Sequence, residues 1–332
     1  MHRLQATLIE RWRGTPLERP ARALQRAGVR ATYRLHDLVL SNRASRRLYA
    51  SHTPELDGVQ QKIVASLRAE GVATAPFTSL FPAHIWQALV EDASRFVKAT
   101  EEEIERERSA PADGGKKRKR KSVNIKEKDY IRRRFGKGTV PVFDPSDPWL
   151  ILPLQPRMLD IANAYLGLWS KLVYSDEWYT VPSTDGAERR ASQRWHRDYA
   201  DRHLLKVFIY LNDVDQGTGP FEYLPETTGT GRYAGQWPWR PISDDFYPPG
   251  DEFDRRIPSA AARTLTGPAG TMIFCDTSGF HRGGFATERP RVLWTFSYFS
   301  PASLRSLSER QFSVDPARVP ADLPAAARFA LS

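Results

Sequence analysis

The sequence predicts an α+β chain with a mainly β core, in which helices come first and support a sheet or barrel. Three observations carry this. Helical periodicity is confined to the first half of the chain. From residue 171 onward, short runs rich in Val, Ile, Phe, Tyr and Trp alternate with turn residues: "KLVYSDEWYTVP", "LLKVFIYLNDV", "GTMIFCD" and "RVLWTFSYF". Helices and strands do not alternate regularly, which argues against a doubly wound parallel sheet.

Residues 1–52 hold short apolar groups broken by arginine and read as a basic extension, irregular or helical. One large domain follows over 53–310, helical over about 53–170 and β over about 171–300. Val59, Ile63, Val64 and Leu67 recur at helical spacing, so a helix over Leu56–Leu67 packs one face inward. Gly71 stands where a left-handed residue closes such a helix. "VATAPF" follows as a strand. A long helix over Ala83–Arg108 keeps Ile85, Leu89, Phe96 and Val97 on its apolar side. "SAPADGGKKRKRKS" then breaks the pattern with Pro, Gly and charge, making 109–128 a basic surface loop. "PRMLDIANAYLG" opens on a proline suited to a first helical turn and ends at Gly167. Residues 311–332 are a C-terminal tail.

The net charge of +10 is unevenly spread. The first fifty residues carry eleven arginines against three acids, and "KKRKRK" at Lys116–Lys121 adds six more cations. Such blocks are solvated segments first, and attractants for a phosphate-bearing substrate or surface second. Specific nucleic-acid recognition is not expected, because no helix-turn-helix, zinc-finger or RNA-recognition signature accompanies the charge. The single cysteine, Cys275, excludes an internal disulfide and a multi-cysteine zinc site. No run approaches the roughly 18 apolar residues of a transmembrane span. The arginine-rich start also lacks the apolar core of a secretory signal, so the expectation is a cytoplasmic protein.

"RWHRDYADRH" concentrates metal-favoured side chains. On a strand, residues two apart share a face, so His196 and Asp198 project together with Arg197 turned away. An imidazole and a carboxylate are two of the three ligands in the facial triad of non-haem Fe(II) oxygenases. His203 lies seven residues from His196, faces the other way on a strand, and reads as a structural or surface residue. The third ligand must come from a distant segment. His281, in "GTMIFCDTSGFHRGG", is the only histidine after His203. Ten residues on, alternation along "RVLWTFSYF" places Arg291, Leu293, Thr295 and Ser297 on one face. Val292, Trp294, Phe296 and Tyr298 fall on the other, suited to packing under helices. An arginine turned inward needs an anion, and a carboxylate held bidentately is its natural partner. Exposure of Arg291 at a strand end is the competing reading.

In order, "QRWHRD", "LLKVFIYLNDVDQGTGPF", "PAGTMIFCDTSGFHRGG" and "RPRVLWTFSYF" resemble the phytanoyl-CoA dioxygenase family of Fe(II)- and 2-oxoglutarate-dependent oxygenases. The resemblance covers about 71–300 and is strongest from Ser192. It implies a double-stranded β-helix, a jelly-roll or cupin-like barrel backed by N-terminal helices. It further implies His196, Asp198 and His281 as iron ligands, 2-oxoglutarate as cofactor and O2 as cosubstrate. Arg291 would bind the distal carboxylate of 2-oxoglutarate, with Arg289 as the alternative. Thr295, Thr271 or Tyr179 would supply a further hydroxyl to the cofactor.

The implied reaction is hydroxylation of an unactivated C–H bond of a small or medium-sized substrate, forming succinate and CO2. That substrate could be anionic or phosphate-bearing, with Lys206 either favouring such a group or holding a solvated head. The chain departs from the family at "YLPETTGTGRY", after the "GPF" strand. The insertion "QWPWRPISDDFYPPGDEF" offers Trp237, Trp239, Phe246 and Tyr247 as pocket residues or as packed surface. The alternative function is a non-catalytic barrel that binds nucleic acid or another polyanion.

Overall fold

Asp57 caps the first predicted helix two residues before Val59, where its periodic face begins. Its carboxylate accepts from Val59 and Gln60 N–H at 2.9 Å, and the Gln60 side chain accepts in return from the Asp57 N–H. This reciprocal cap sets the start of Gly58–Glu70, and Gly71 ends it in the left-handed region at φ 83°. The computed structural model describes residues 18–109, 130–135, 140–144, 147–183, 187–240, 247–303 and 310–332. The Lys116–Lys121 run lies outside the described residues.

In chain order the helices are α1 (Glu18–Leu38), α2 (Ser41–Ser51), α3 (Gly58–Glu70), α4 (Ala83–Ser109), α5 (Pro148–Ile151), α6 (Pro156–Leu166), α7 (Gly250–Arg256) and α8 (Ala325–Leu331). The strands are β1 (Val72–Pro76), β2 (Ile131–Arg133), β3 (Val142–Phe143), β4 (Lys171–Thr180), β5 (Leu204–Tyr210), β6 (Phe221–Tyr223), β7 (Arg263–Leu265), β8 (Thr271–Cys275), β9 (His281–Arg282), β10 (Arg291–Phe299) and β11 (Ser313–Val314). Helices α1 and α2 occupy most of the arginine-rich extension, and α8 occupies the C-terminal tail. Among the described residues no helix is long and apolar enough to cross a membrane.

Six strands form an antiparallel sheet in the order β1-β8-β5-β10-β4-β2. A smaller antiparallel sheet has the order β7-β6-β9. The two-residue strands β3 and β11 pair in parallel. Strand alternation divides the large sheet into two faces. Trp294, Phe296 and Tyr298 of β10 join Leu205, Val207 and Ile209 of β5 in one apolar cluster with Ile63 and Leu67 of α3 and Met158 of α6. Each such buried side chain contributes about 1.5–3 kcal/mol. Phe208, Tyr210, Ile273 and Leu293 point the other way and pack with Phe221 and Tyr223 of the small sheet. The two sheets therefore share an interior, and the site lies in it.

The register fixes which side chains meet there. Ser297 sits across from Tyr174 and Lys206, Thr295 across from Asp176 and Phe208, and Leu293 across from Trp178 and Tyr210. Arg291 lies opposite Thr180.

Candidate metal centre

His196 and His281 form an isolated antiparallel bridge. The His196 N–H donates to the His281 carbonyl at 3.0 Å and the His281 N–H returns the bond at 2.9 Å. Their rings stand 4.3 Å apart between centroids. Strand β9 holds this pair against β6 through Tyr223. Two residues on, the Asp198 N–H donates to the Thr277 carbonyl at 2.7 Å, so the same two segments are tied twice. One donor atom each from His196, Asp198 and His281 falls within 4.8 Å of the others, a group that could hold a metal ion. No continuous strand carries His196 and Asp198, because only the His196 bridge is regular.

Each imidazole is oriented by a backbone oxygen. His196 Nδ1 lies 2.9 Å from the Arg194 carbonyl and His281 Nδ1 lies 3.0 Å from the Gly279 carbonyl. A carbonyl only accepts, so Nδ1 carries the proton and Nε2 keeps its lone pair for a metal. Burial holds His281 well below the ordinary histidine range, against the pull of Asp198. Burial alone would raise the Asp198 carboxyl. The Lys206 ammonium and the two imidazoles outweigh it and hold the group well below the usual carboxylate range. Asp198 Oδ2 accepts from Lys206 Nζ at 2.8 Å and from Thr277 Oγ1 at 2.7 Å. That leaves the other carboxylate oxygen for a cation.

Arg291 lines the same cavity, of about 530 Å³, as His196, Asp198 and His281. It is 3 % exposed. Its Nη1 donates to the Gly219 carbonyl at 2.9 Å and its Nη2 reaches Thr180 Oγ1 at 3.5 Å, while Nε has no partner. Among the described residues no carboxylate pairs with it. Burial pulls its pKa down, and Tyr210 and Tyr130 are the groups that oppose this. A guanidinium in such surroundings is costly unless an anion joins it. Arg289 is on the surface, paired with Asp215, both side chains more than half exposed.

Thr295 is fully buried with an unpartnered Oγ1, and β10 alternation puts it on the cavity side. Tyr179 is a correction. It lies across from Val292 on the helix-backed face of the large sheet, and its hydroxyl donates to Glu101 Oε1 of α4. The phase of β4 against β10 excludes it from the cavity. Thr271, a further hydroxyl candidate, donates to the Pro268 carbonyl and is likewise elsewhere. His203 is structural as expected, with Nε2 3.1 Å from Asp37 Oδ1.

Lys206 is not a lysine with a solvated head. It lines the cavity and reaches Asp198. Arg197 turns away from its neighbours into the interior, 4.0 Å over the Phe280 ring and bonded to the Trp237 and Thr227 carbonyls. Of the insertion's aromatics, Tyr247 lines the cavity and Trp237 is core beside Phe253 and Phe280. Trp239 donates from Nε1 to the Asp198 carbonyl at 2.9 Å. Phe246 lies outside the described residues. The divergent "YLPETTGTGRY" stretch supports the metal group locally, since Thr227 Oγ1 accepts from the Phe280 N–H at 2.8 Å, next to His281.

Residues not anticipated are Arg133, Tyr174, Trp178 and Gln311 on the cavity wall, and Thr277 beside Asp198. For Lys206 a signal exists in "LLKVFIY", where period two groups it with Phe208 and Tyr210, away from Leu205, Val207 and Ile209.

No family model and no curated protein matches the chain. Solved structures do. The epimerase SnoN, in complex with Fe3+, alpha ketoglutarate and nogalamycin RO, is 18% identical, with 80% of this chain and 93% of SnoN covered at a TM-score of 0.46. EctD from S. alaskensis, with 2-oxoglutarate and 5-hydroxyectoine, is 15% identical, with 83% and 90% covered at 0.49. HygX from Streptomyces hygroscopicus, with nickel and 2-oxoglutarate bound, is 15% identical, with 74% and 88% covered at 0.43.

Proposed function

We propose that this chain is an Fe(II)- and 2-oxoglutarate-dependent oxygenase of the phytanoyl-CoA dioxygenase type, folded as a double-stranded β-helix. In this reading it hydroxylates an unactivated C–H bond of a small organic molecule. One observation carries the reading: a buried arginine without a carboxylate partner among the described residues shares a cavity with a His-Asp-His group. Two imidazoles and one carboxylate suit Fe(II) with positions left open. The unanswered guanidinium suits the distal carboxylate of 2-oxoglutarate.

His196, Asp198 and His281 hold the iron, Arg291 anchors 2-oxoglutarate, and Thr295 is a buried hydroxyl on the same β10 face as that anchor. Iron with 2-oxoglutarate and O2 supplies a C–H oxidant, with succinate and CO2 as co-products. The chain's own part is orientation and exclusion of water. The Arg194 and Gly279 carbonyls fix the imidazoles, and Lys206 with Thr277 restrains Asp198. Phe208, Phe221 and Leu293 keep the wall apolar near the metal group.

The rest of the wall selects the substrate. Lys206 is paired with Asp198 and Arg133 with Asp176, so beyond Arg291 the described wall presents no free cation for an anionic group. The buried Ser297 hydroxyl lines the cavity without a partner, which favours a substrate that hydrogen-bonds there. The test is conversion of 2-oxoglutarate to succinate by iron-loaded protein across a panel of hydroxylatable small molecules. Iron- and oxygen-dependent succinate that vanishes in Asp198→Ala is expected. Succinate formation that survives Asp198→Ala would remove the basis of the assignment.

A further inference from the structure

Seven large apolar side chains are exposed among the described residues, and five of them, Leu24, Leu35, Leu38, Val39 and Leu40, belong to α1 and the turn behind it. They are not scattered. At about 100° per residue, Leu24, Leu35 and Leu38 fall on one stripe of α1, which Val39 in the following turn extends, with the exposed Gly28 and Ala31 filling the gap. The opposite side of the helix is fastened to the body: Tyr33 is buried and its hydroxyl donates to Asp201 Oδ1 at 2.8 Å. The stripe therefore faces outward from a helix that is already docked. Arg34 of α1, and Arg43 and Arg47 of α2, which starts right after the turn, are exposed.

We propose that α1 and the turn at Leu38–Leu40 dock this protein on an anionic phospholipid surface, with the leucine stripe sunk among the acyl chains and the arginines at the headgroups. The occupant follows from the two features together. A helix that pairs an apolar face with arginine-rich flanks lies in a membrane interface, and neither signal alone gives stable binding. Nucleic acid would engage the arginines but has no use for five exposed aliphatic side chains. A second copy meeting stripe to stripe would bring the exposed Arg34, Arg43 and Arg47 of each copy toward like charges, which repels. The helix lies on the bilayer and does not span it. This inference stands apart from the oxygenase reading, since it uses none of the cavity residues.

The experiment is co-sedimentation of the full chain with vesicles of phosphatidylcholine alone and of phosphatidylcholine mixed with phosphatidylglycerol. The comparison variants are Leu35→Ser/Leu38→Ser, Arg43→Gln/Arg47→Gln and Val142→Ser, the last an exposed apolar side chain on β3. Binding is expected to anionic vesicles only, to weaken as salt is raised, and to fall about tenfold or more in the leucine pair. It should fall about fivefold per arginine and stay unchanged in Val142→Ser. Circular dichroism melts that match the parent confirm that the variants are folded. Absence of binding to either vesicle, or equal binding to both, overturns the proposal. So does a concentration-dependent dimer abolished by the leucine pair, or duplex DNA binding that the leucine pair leaves intact.

Discussion

Arg291 and Gly219 meet at 2.9 Å, guanidinium to carbonyl, only because residue 284 has no side chain. A Cβ on Gly284 would overlap the Gly219 carbonyl oxygen and crowd Arg291 Nη1 at 2.6 Å. Gly284→Ala is therefore expected to displace the arginine and weaken 2-oxoglutarate binding. Gly283→Ala, whose Cβ would meet the Ser192 carbonyl at 3.2 Å, should have the milder effect. Calorimetric titration of 2-oxoglutarate into metal-loaded protein checks both.

Arg291→Gln removes the proposed anchor itself. Losing one partner of a buried, hydrogen-bonded charge pair costs about 2–5 kcal/mol, so 2-oxoglutarate affinity should fall at least about thirtyfold. Metal affinity should stay nearly constant, because Arg291 hydrogen-bonds to none of His196, Asp198 and His281. Equal loss of both would mean that the cavity had collapsed.

Lys206→Met takes one of two donors from Asp198 Oδ2. Groups that orient a metal ligand are typically worth about 10–100-fold in metal affinity. A Co(II) titration followed in the visible is expected to show a loss in that range, with Lys206→Arg recovering part of it. Unchanged affinity would show that Thr277 alone orients the carboxylate.

Tyr33→Phe tests whether the N-terminal helices belong to the folded body. Tyr33 Oη donates to the buried Asp201, which also accepts from the His203 and Ser300 N–H groups, and it accepts from the Arg202 N–H. Leaving Asp201 short of one partner is expected to cost about 1–3 kcal/mol, seen as a lower midpoint in urea. No change in midpoint would make α1 an independent appendage.

Glu177 gives a pH signature. Burial pushes its carboxyl up to about 7, above the 4.5 of an ordinary glutamate, with Arg134 opposing the rise. Its Oε2 has no partner. The folded state then holds a proton that the unfolded state has released between those values. Stability contributed by the protonated form is lost as pH climbs from about 4.5 to 7. Unfolding midpoints across that window should decline, and Glu177→Gln should flatten the decline.

Much of this architecture is legible in the sequence because β10 writes its two faces plainly. Trp294, Phe296 and Tyr298 enter the helix-backed cluster, while Arg291, Leu293 and Ser297 line the cavity. The helix ends at Gly71 and Gly167 are equally readable, since both adopt left-handed conformations. The preference for Arg291 over Arg289 rests on the same alternation. What fails needs a cross-strand register that periodicity alone does not contain. Tyr179 is ruled out only by its pairing with Val292, and Arg133 reaches the cavity only because β2 pairs with β4. Thr277 is unreadable for a related reason: its hydroxyl meets Asp198 through a loop-to-loop contact with no sequence period.

The central claim is one cavity that binds a metal and 2-oxoglutarate together. Its most direct test is an anaerobic titration of the protein with Fe(II) and 2-oxoglutarate, followed by the visible charge-transfer band of the chelated iron. A band that requires both components, is lost in Asp198→Ala and is shifted to higher 2-oxoglutarate concentration in Arg291→Gln is the predicted result. No band in folded protein shown to bind metal would contradict the account and favour a cavity that binds its ligand without this chemistry.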